Sequence, residues 1–201
     1  MKLFKTGAIP GSSHTSDDIR EVRNHIYLLD YLGMITRVTL IDIELLQHFN
    51  NVLLDGTRNS HFEGRWRPTA IVLDGAPVVC PQHYELPALM DCFVEWLQTA
   101  KDTLHPAILA LEAHLKLVSI HPWVDGNGRT ARLLQNLILH IYGYPPAIIT
   151  AENKMQYINF LQGVQTANDK EERLAARKAF YTFMLQQLEE VLKSYLSRFD
   201  G

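Results

Sequence analysis

The run His121-Pro122-Trp123-Val124-Asp125-Gly126-Asn127-Gly128-Arg129-Thr130-Ala131-Arg132 constrains this chain more than any other stretch. Apolar residues at helical spacing flank it, with Ile108, Leu111, Leu115 and Val118 before it and Leu133, Leu134, Leu137, Ile138 and Ile141 after it. Two helices therefore meet at a turn. The turn carries Gly126 and Gly128, which let a backbone take positive φ and come close to a ligand. A helix beginning there points its free N–H groups and the positive end of its dipole at the turn, which favours an anion. The chemistry of the side chains agrees. His121 can accept a proton from a weak nucleophile near neutral pH, and Asp125 can complete the shell of a Mg²⁺ ion that also binds phosphate oxygens. Arg129 and Arg132 offer forked donors to distal phosphates. A His-Pro pair or a Gly-x-Gly alone is an ordinary turn, but this ordered set is suited to handling a polyphosphate.

The rest of the chain reads as helices. Gly11-Ser12-Ser13 is a loop, and Ser16-Asp17-Asp18 starts a helix whose apolar face is Ile19, Val22, Ile26 and Leu29. Thr39 with Asp42 resembles a capping box for a second helix through Leu45, Phe49 and Val52, which Gly56 stops. Leu86-Pro87 leads into a helix through Leu89, Phe93 and Trp96, and His105-Pro106 opens the one that ends at His121. Gly143-Tyr144-Pro145-Pro146 breaks the helix after the turn. A short helix near Met155, Tyr157 and Phe160 follows, then a long one over about 170–198 through Leu174, Tyr181, Leu185, Leu188, Leu192 and Tyr195. The exception lies at about 67–80, where β-formers flank Asp74-Gly75 as in a hairpin. The expected architecture is one all-α domain over residues 1–201 with a single β-hairpin flap. An edge strand beside a catalytic turn can pair with an extended segment of a protein substrate through main-chain hydrogen bonds.

Composition narrows the partners. With 201 residues, 47% apolar and 20% charged, and a formal charge of -3, the chain has no polyelectrolyte reason to bind nucleic acid or an anionic membrane. Cys80 and Cys92 are too few for a disulfide framework and fit a reducing compartment. No run reaches the length of a membrane span, and the N-terminus lacks a sustained apolar leader, so the expectation is cytoplasmic. His105, His114 and His140 lack a matching ligand set, and no zinc site is expected.

The run 121–132 resembles the signature His-x-Phe-x-(Asp/Glu)-Gly-Asn-Gly-(Arg/Lys)-x-x-Arg of the Fic family, with Trp123 in place of Phe. The likeness is greatest to the adenylyltransferase branch, including animal endoplasmic-reticulum Fic proteins. It implies a Fic-type helical bundle that moves AMP from ATP-Mg²⁺ to a Ser, Thr or Tyr hydroxyl of a target protein. By position, His121 is then the general base and Asp125 the Mg²⁺ ligand. Gly126, Asn127 and Gly128 form the anion hole, and Arg129 and Arg132 hold the distal phosphates. Tyr157 and Asn168 fall where the nucleoside is contacted, and Thr69, Ala70, Ile71, Val72 and Leu73 lie on the flap that docks the target. Trp123 takes the place of the aromatic that anchors the loop from beneath.

Many members are restrained by (Ser/Thr)-x-x-x-Glu-(Gly/Asn), which this sequence does not contain. Inhibition then comes from a partner or from a segment outside these residues, or is absent. The alternatives are a deadenylylase or other nucleotidyl or phosphoryl transferase on the same fold, and a non-catalytic module binding a partner's strand. The intact glycines Gly126 and Gly128 favour nucleotidyl over phosphoryl transfer. The modified hydroxyl and the oligomeric state are not encoded in these motifs.

Overall fold

Local sequence signals account for where most helices start in the computed structural model, which describes residues 16–33, 35, 40–71, 78 and 80–197. Seven α-helices run in chain order: α1 (Ser16–Leu32), α2 (Ile43–Leu54), α3 (Leu86–Ala100), α4 (Pro106–Ile120), α5 (Asn127–Ile141), α6 (Lys154–Thr166) and α7 (Lys170–Leu196). The Asp42 carboxylate accepts the Leu45 N–H at 2.8 Å, capping α2. Asp42 is thus the cap itself rather than the third residue of a box begun by Thr39, which lies outside the described residues. Asp169 caps α7 in the same way through the Glu172 N–H at 2.8 Å. Pro87 and Pro106 sit in the first turns of α3 and α4, where a missing N–H costs nothing.

Helix α4 is the centre. Nine of its fifteen residues are buried, among them Leu109, Leu111, His114, Leu117 and Val118, a distribution that suits a helix enclosed by neighbours. It packs against α3, α5 and α7, and Glu112 on α4 binds both Arg177 and Tyr181 of α7. Helix α5 divides two apolar clusters by register. Leu134 and Ile138 face the main core with α3, α4, α6 and α7, while Leu133 and Leu137 join Leu28, Leu32, Phe49 and Leu53 of α1 and α2. The two helices that bracket the glycine-bearing turn are therefore the most heavily buried in the molecule. This fixes the turn as a rigid feature.

Two sequence readings change. Most of the stripe expected to bury α1 is exposed, with Ile19 at 63% and Val22 at 53%; Leu29 is partly buried, and the face that packs fully is Asn24, Leu28 and Leu32. Both stripes have helical period, and only packing against α2 and α5 selects between them. On α7, Leu174 and Leu185 are exposed while Phe180, Phe183, Met184 and Leu188 are buried. The hairpin expected around Asp74-Gly75 has its turn and part of each arm, including Val72, Leu73 and Val79, outside the described residues. Among the described residues the only strand-like pairing is an antiparallel bridge between Trp66 and Trp123.

Candidate active site

The turn between α4 and α5 is built around an unusual backbone. His121 ends α4 with φ 52 and ψ 58, the only non-glycine residue with positive φ among those described. This conformation costs an L-residue about 1–2 kcal/mol, and the following Pro122 restricts it further. The Arg67 side chain donates to the His121 carbonyl at 2.8 Å, and the Arg67 N–H donates to the Pro122 carbonyl at 2.9 Å. Gly126 follows at φ 80. A Cβ there would lie 2.7 Å from Asn50 Nδ2, whose amide donates to the Asp125 carbonyl at 2.9 Å. Glycine is therefore required by both conformation and space. Gly128 differs, since a Cβ would meet only Arg132 Nη1 at 3.5 Å.

Asn127 holds the turn shut. Its side-chain oxygen accepts from the Trp123 N–H at 2.9 Å, and its amide donates to the Trp123 carbonyl at 2.8 Å. Trp123 is fully buried and anchors the loop from within, although its indole Nε1 has no acceptor among the described residues. With the Asn127 side chain spent on Trp123, what the first turn of α5 offers an anion is backbone N–H groups, which lack intrahelical acceptors at a helix start. They open onto a cleft of about 250 Å³ lined by His121, Val124, Asp125, Gly126, Asn127, Gly128, Arg129 and Arg132. The structure thus gathers the whole predicted motif around one cavity.

Protonation states follow from the surroundings. Burial pushes His121 from 6.5 to about 4; the Val118 carbonyl and Asp125 favour a proton on the ring, while Arg67 opposes it. Its Nδ1 makes no well-formed hydrogen bond. The sequence suggests titration near neutrality, whereas the partly buried ring is neutral throughout that range. For Asp125, burial alone would raise the carboxyl. The Asn59 amide at 2.9 Å, the Arg129 charge and the Gly126 N–H outweigh burial and hold it below the usual carboxylate range. A single ionised, oxygen-only donor at the mouth of a phosphate-sized cleft fits Mg²⁺, which takes one or two carboxylates and completes its shell with phosphate and water. No cluster of three His, Cys, Asp or Glu side chains suited to a metal occurs among the described residues.

The two arginines are not equivalent. Arg129 lies between Asp125 Oδ1 at 3.0 Å and Glu21 Oε2 of α1 at 2.7 Å. Arg132 lies with its guanidinium carbon 5.7 Å from the centre of the Tyr157 ring. Tyr157 is buried, and its hydroxyl meets His114 Nε2 at 2.9 Å; enclosed in this way, it reaches the site through Arg132. Asn168, by contrast, lies at the α6–α7 corner, its N–H bonded to Glu172 at 3.0 Å. Pro68, Thr69 and Ala70 are exposed beside the turn.

Several contributors carry no local signature. Asn50 and Asn59 come from α2 and the segment after it, Arg67 from the base of the flap segment, and Glu21 and His25 from α1. Burial, then Arg132 and Arg129, lower His25 to about 4. Only their distance across the fold to residues 121–132 marks them.

Residues 40–139 match the Fic/DOC family. The chain belongs to this family. It is 36% identical over 177 residues to the protein adenylyltransferase Fic of Drosophila grimshawi, a match covering 83% of this chain and 35% of that protein. Among solved structures, it resembles a Fic domain containing signaling protein from Bacteroides thetaiotaomicron with a TM-score of 0.74 at 25% identity, covering 89% of this chain and 73% of the other. Fic-1 from C. elegans gives 0.69 at 26% identity, covering 94% and 56%. The all-helical Fic fold expected from the motif is thus the fold observed. The chain spans about a third or less of the length of the curated relatives it matches.

Proposed function

We propose that this chain is the catalytic domain of a protein adenylyltransferase that moves AMP from ATP to a hydroxyl of a protein target. The observation that carries the reading is the convergence on one cleft of a neutral, partly buried His121, an ionised Asp125 and the N-terminus of α5. Curated relatives named as protein adenylyltransferases support it.

The target hydroxyl oxygen attacks the α-phosphorus, its proton passes to His121, and the bond to pyrophosphate breaks. His121 is unprotonated at neutral pH and so has room for that proton. Its low basicity in the free protein rises when a polyphosphate brings negative charge beside it. The backbone N–H groups of Asn127 and Gly128 face the phosphates without reorganisation, and Arg132 reaches the distal ones. Mg²⁺ held at Asp125 supplies charge neutralisation at the phosphate oxygens. The exposed residues Pro68, Thr69 and Ala70 offer an extended target segment an edge beside the base. Flap docking through Ile71, Val72 and Leu73 belongs to the same proposal, as does restraint by a partner or segment carrying the inhibitory glutamate.

The test is transfer of label. Incubated with Mg²⁺ and a cell lysate, ATP labelled on the α-phosphate labels protein and γ-labelled ATP does not. His121→Ala cuts the α-signal by about two to four orders of magnitude while calorimetry finds ATP binding nearly unchanged. Label arriving from the γ-position alone would make the protein a phosphotransferase.

A further inference from the structure

Arg67 is 2% exposed, and no carboxylate pairs with it among the described residues. A buried cation of this kind is expensive unless its donors are satisfied. Each of its three guanidinium nitrogens donates to a carbonyl oxygen. Nε donates to His121 at 2.8 Å, Nη1 to Thr69 at 2.7 Å and Nη2 to Pro81. Its own N–H donates to Pro122 at 2.9 Å, and the neighbouring Trp66 bridges to Trp123.

The three carbonyls belong to two different machines. Thr69 and Pro81 are the two ends of the flap segment, so one planar fork closes that segment at its neck. The third carbonyl is that of His121, the one non-glycine residue held at positive φ among those described. A conformation that unfavourable persists only where its surroundings over-determine it. Here the restraints are the helical bond from the His121 N–H to Leu117 at 3.0 Å and the fork of Arg67 on the other side of the residue.

We propose that Arg67 is a positioning residue for the transfer reaction, locking the His121 backbone and the neck of the flap into one unit. A target strand held at the flap is thereby presented to the base at fixed distance. The inference rests on the reading of His121 as the base and of the flap as the docking edge. A lysine does not substitute, because a single ammonium cannot span three carbonyls in the geometry of a guanidinium.

The experiment compares the whole chain with Arg67→Met, Arg67→Lys and His121→Ala by amide hydrogen exchange, ATP calorimetry and turnover with α-labelled ATP in lysate. In Arg67→Met, exchange at the amides of residues 67, 121 and 123 speeds up by about tenfold or more, while the core amides of α4 between Leu109 and Val118 keep their protection. Turnover falls by roughly 10- to 100-fold, the size of loss expected from a misplacement of about 1 Å, and the Kd for ATP stays within about twofold. Arg67→Lys remains within about threefold of Arg67→Met. The proposal is overturned by wild-type turnover in Arg67→Met, by a uniform loss of protection through α4, or by ATP binding that weakens in step with turnover. Wild-type turnover in His121→Ala would instead overturn the base assignment, and with it the catalytic meaning of the clamp.

Discussion

The turn at 121–132 and helix α1 both shape the same cleft, yet they are specified in opposite ways. In the turn, residues close in sequence bond to one another: Asn127 to Trp123, Gly126 to Asp125, Arg129 to Asp125. Its form is local. Helix α1 reaches the site only across the fold, with Glu21 paired to Arg129 and Asn24 bonded to the Asp55 carbonyl at 2.9 Å. Its more hydrophobic-looking stripe faces outward and its packed face includes an asparagine. A short-range bonding pattern can be read from residue order, whereas the side of a helix that packs depends on neighbours that arrive from far along the chain.

Acidification tests whether both regions share one electrostatic fate. His25 on α1, His114 on α4 and His121 at the turn have folded values lowered from 6.5 to about 4, 3 and 4. The unfolded chain therefore binds more protons below pH 6.5, so the stability they contribute is complete above 6.5. It is lost as pH falls toward 4, at up to about 1.4 kcal/mol per pH unit for each histidine. Denaturant melts between pH 7 and 4 measure this, and His25→Gln should flatten the slope. A slope unchanged by that substitution would show that burial beside the arginines does not hold His25 below its ordinary value.

The packed face of α1 comes next in size. Leu28→Ala should cost about 2–5 kcal/mol, as a fully buried leucine does, whereas Ile19→Ser should stay within about 0.5 kcal/mol. Thermal or urea unfolding decides it, and equal losses would mean that the outward stripe is covered in solution. The smallest expected effect sharpens the contrast inside the turn. Gly126→Ala should destabilise by about 1–2 kcal/mol, from positive φ and the clash with Asn50. Gly128→Ala, already in helix with room for a methyl group, should match or slightly exceed wild-type stability. If that variant still loses ATP affinity by calorimetry, the reason for glycine at 128 is the ligand and not the fold.

Most of the helical architecture was legible because the signals are short in range. Period and caps give α2 through α7 to within a few residues, and Gly-Tyr-Pro-Pro ends α5 where expected. The residues around the cavity were legible for the same reason. Less legible were the burial of Tyr157, whose place on a helix is equally compatible with a rim or a core, and the depth at which His121 sits. Arg67 is one basic residue between Trp66 and Pro68, and nothing in its neighbourhood announces a fork that joins the nearby Thr69 carbonyl to those of Pro81 and His121.

The sequence by itself determined the order of base, carboxylate, glycines and arginines, because these are fixed covalently at single-residue spacing and Asn127 ties the turn that holds them back onto Trp123. Tertiary structure alone decided which stripe of α1 is buried, that Arg129 is held between two carboxylates while Arg132 rests against Tyr157, and that His121 is neutral at physiological pH. Each of those depends on desolvation and charge contributed by groups tens of residues away, and such distances exist only once α1, α2 and the flap base have packed against α4 and α5.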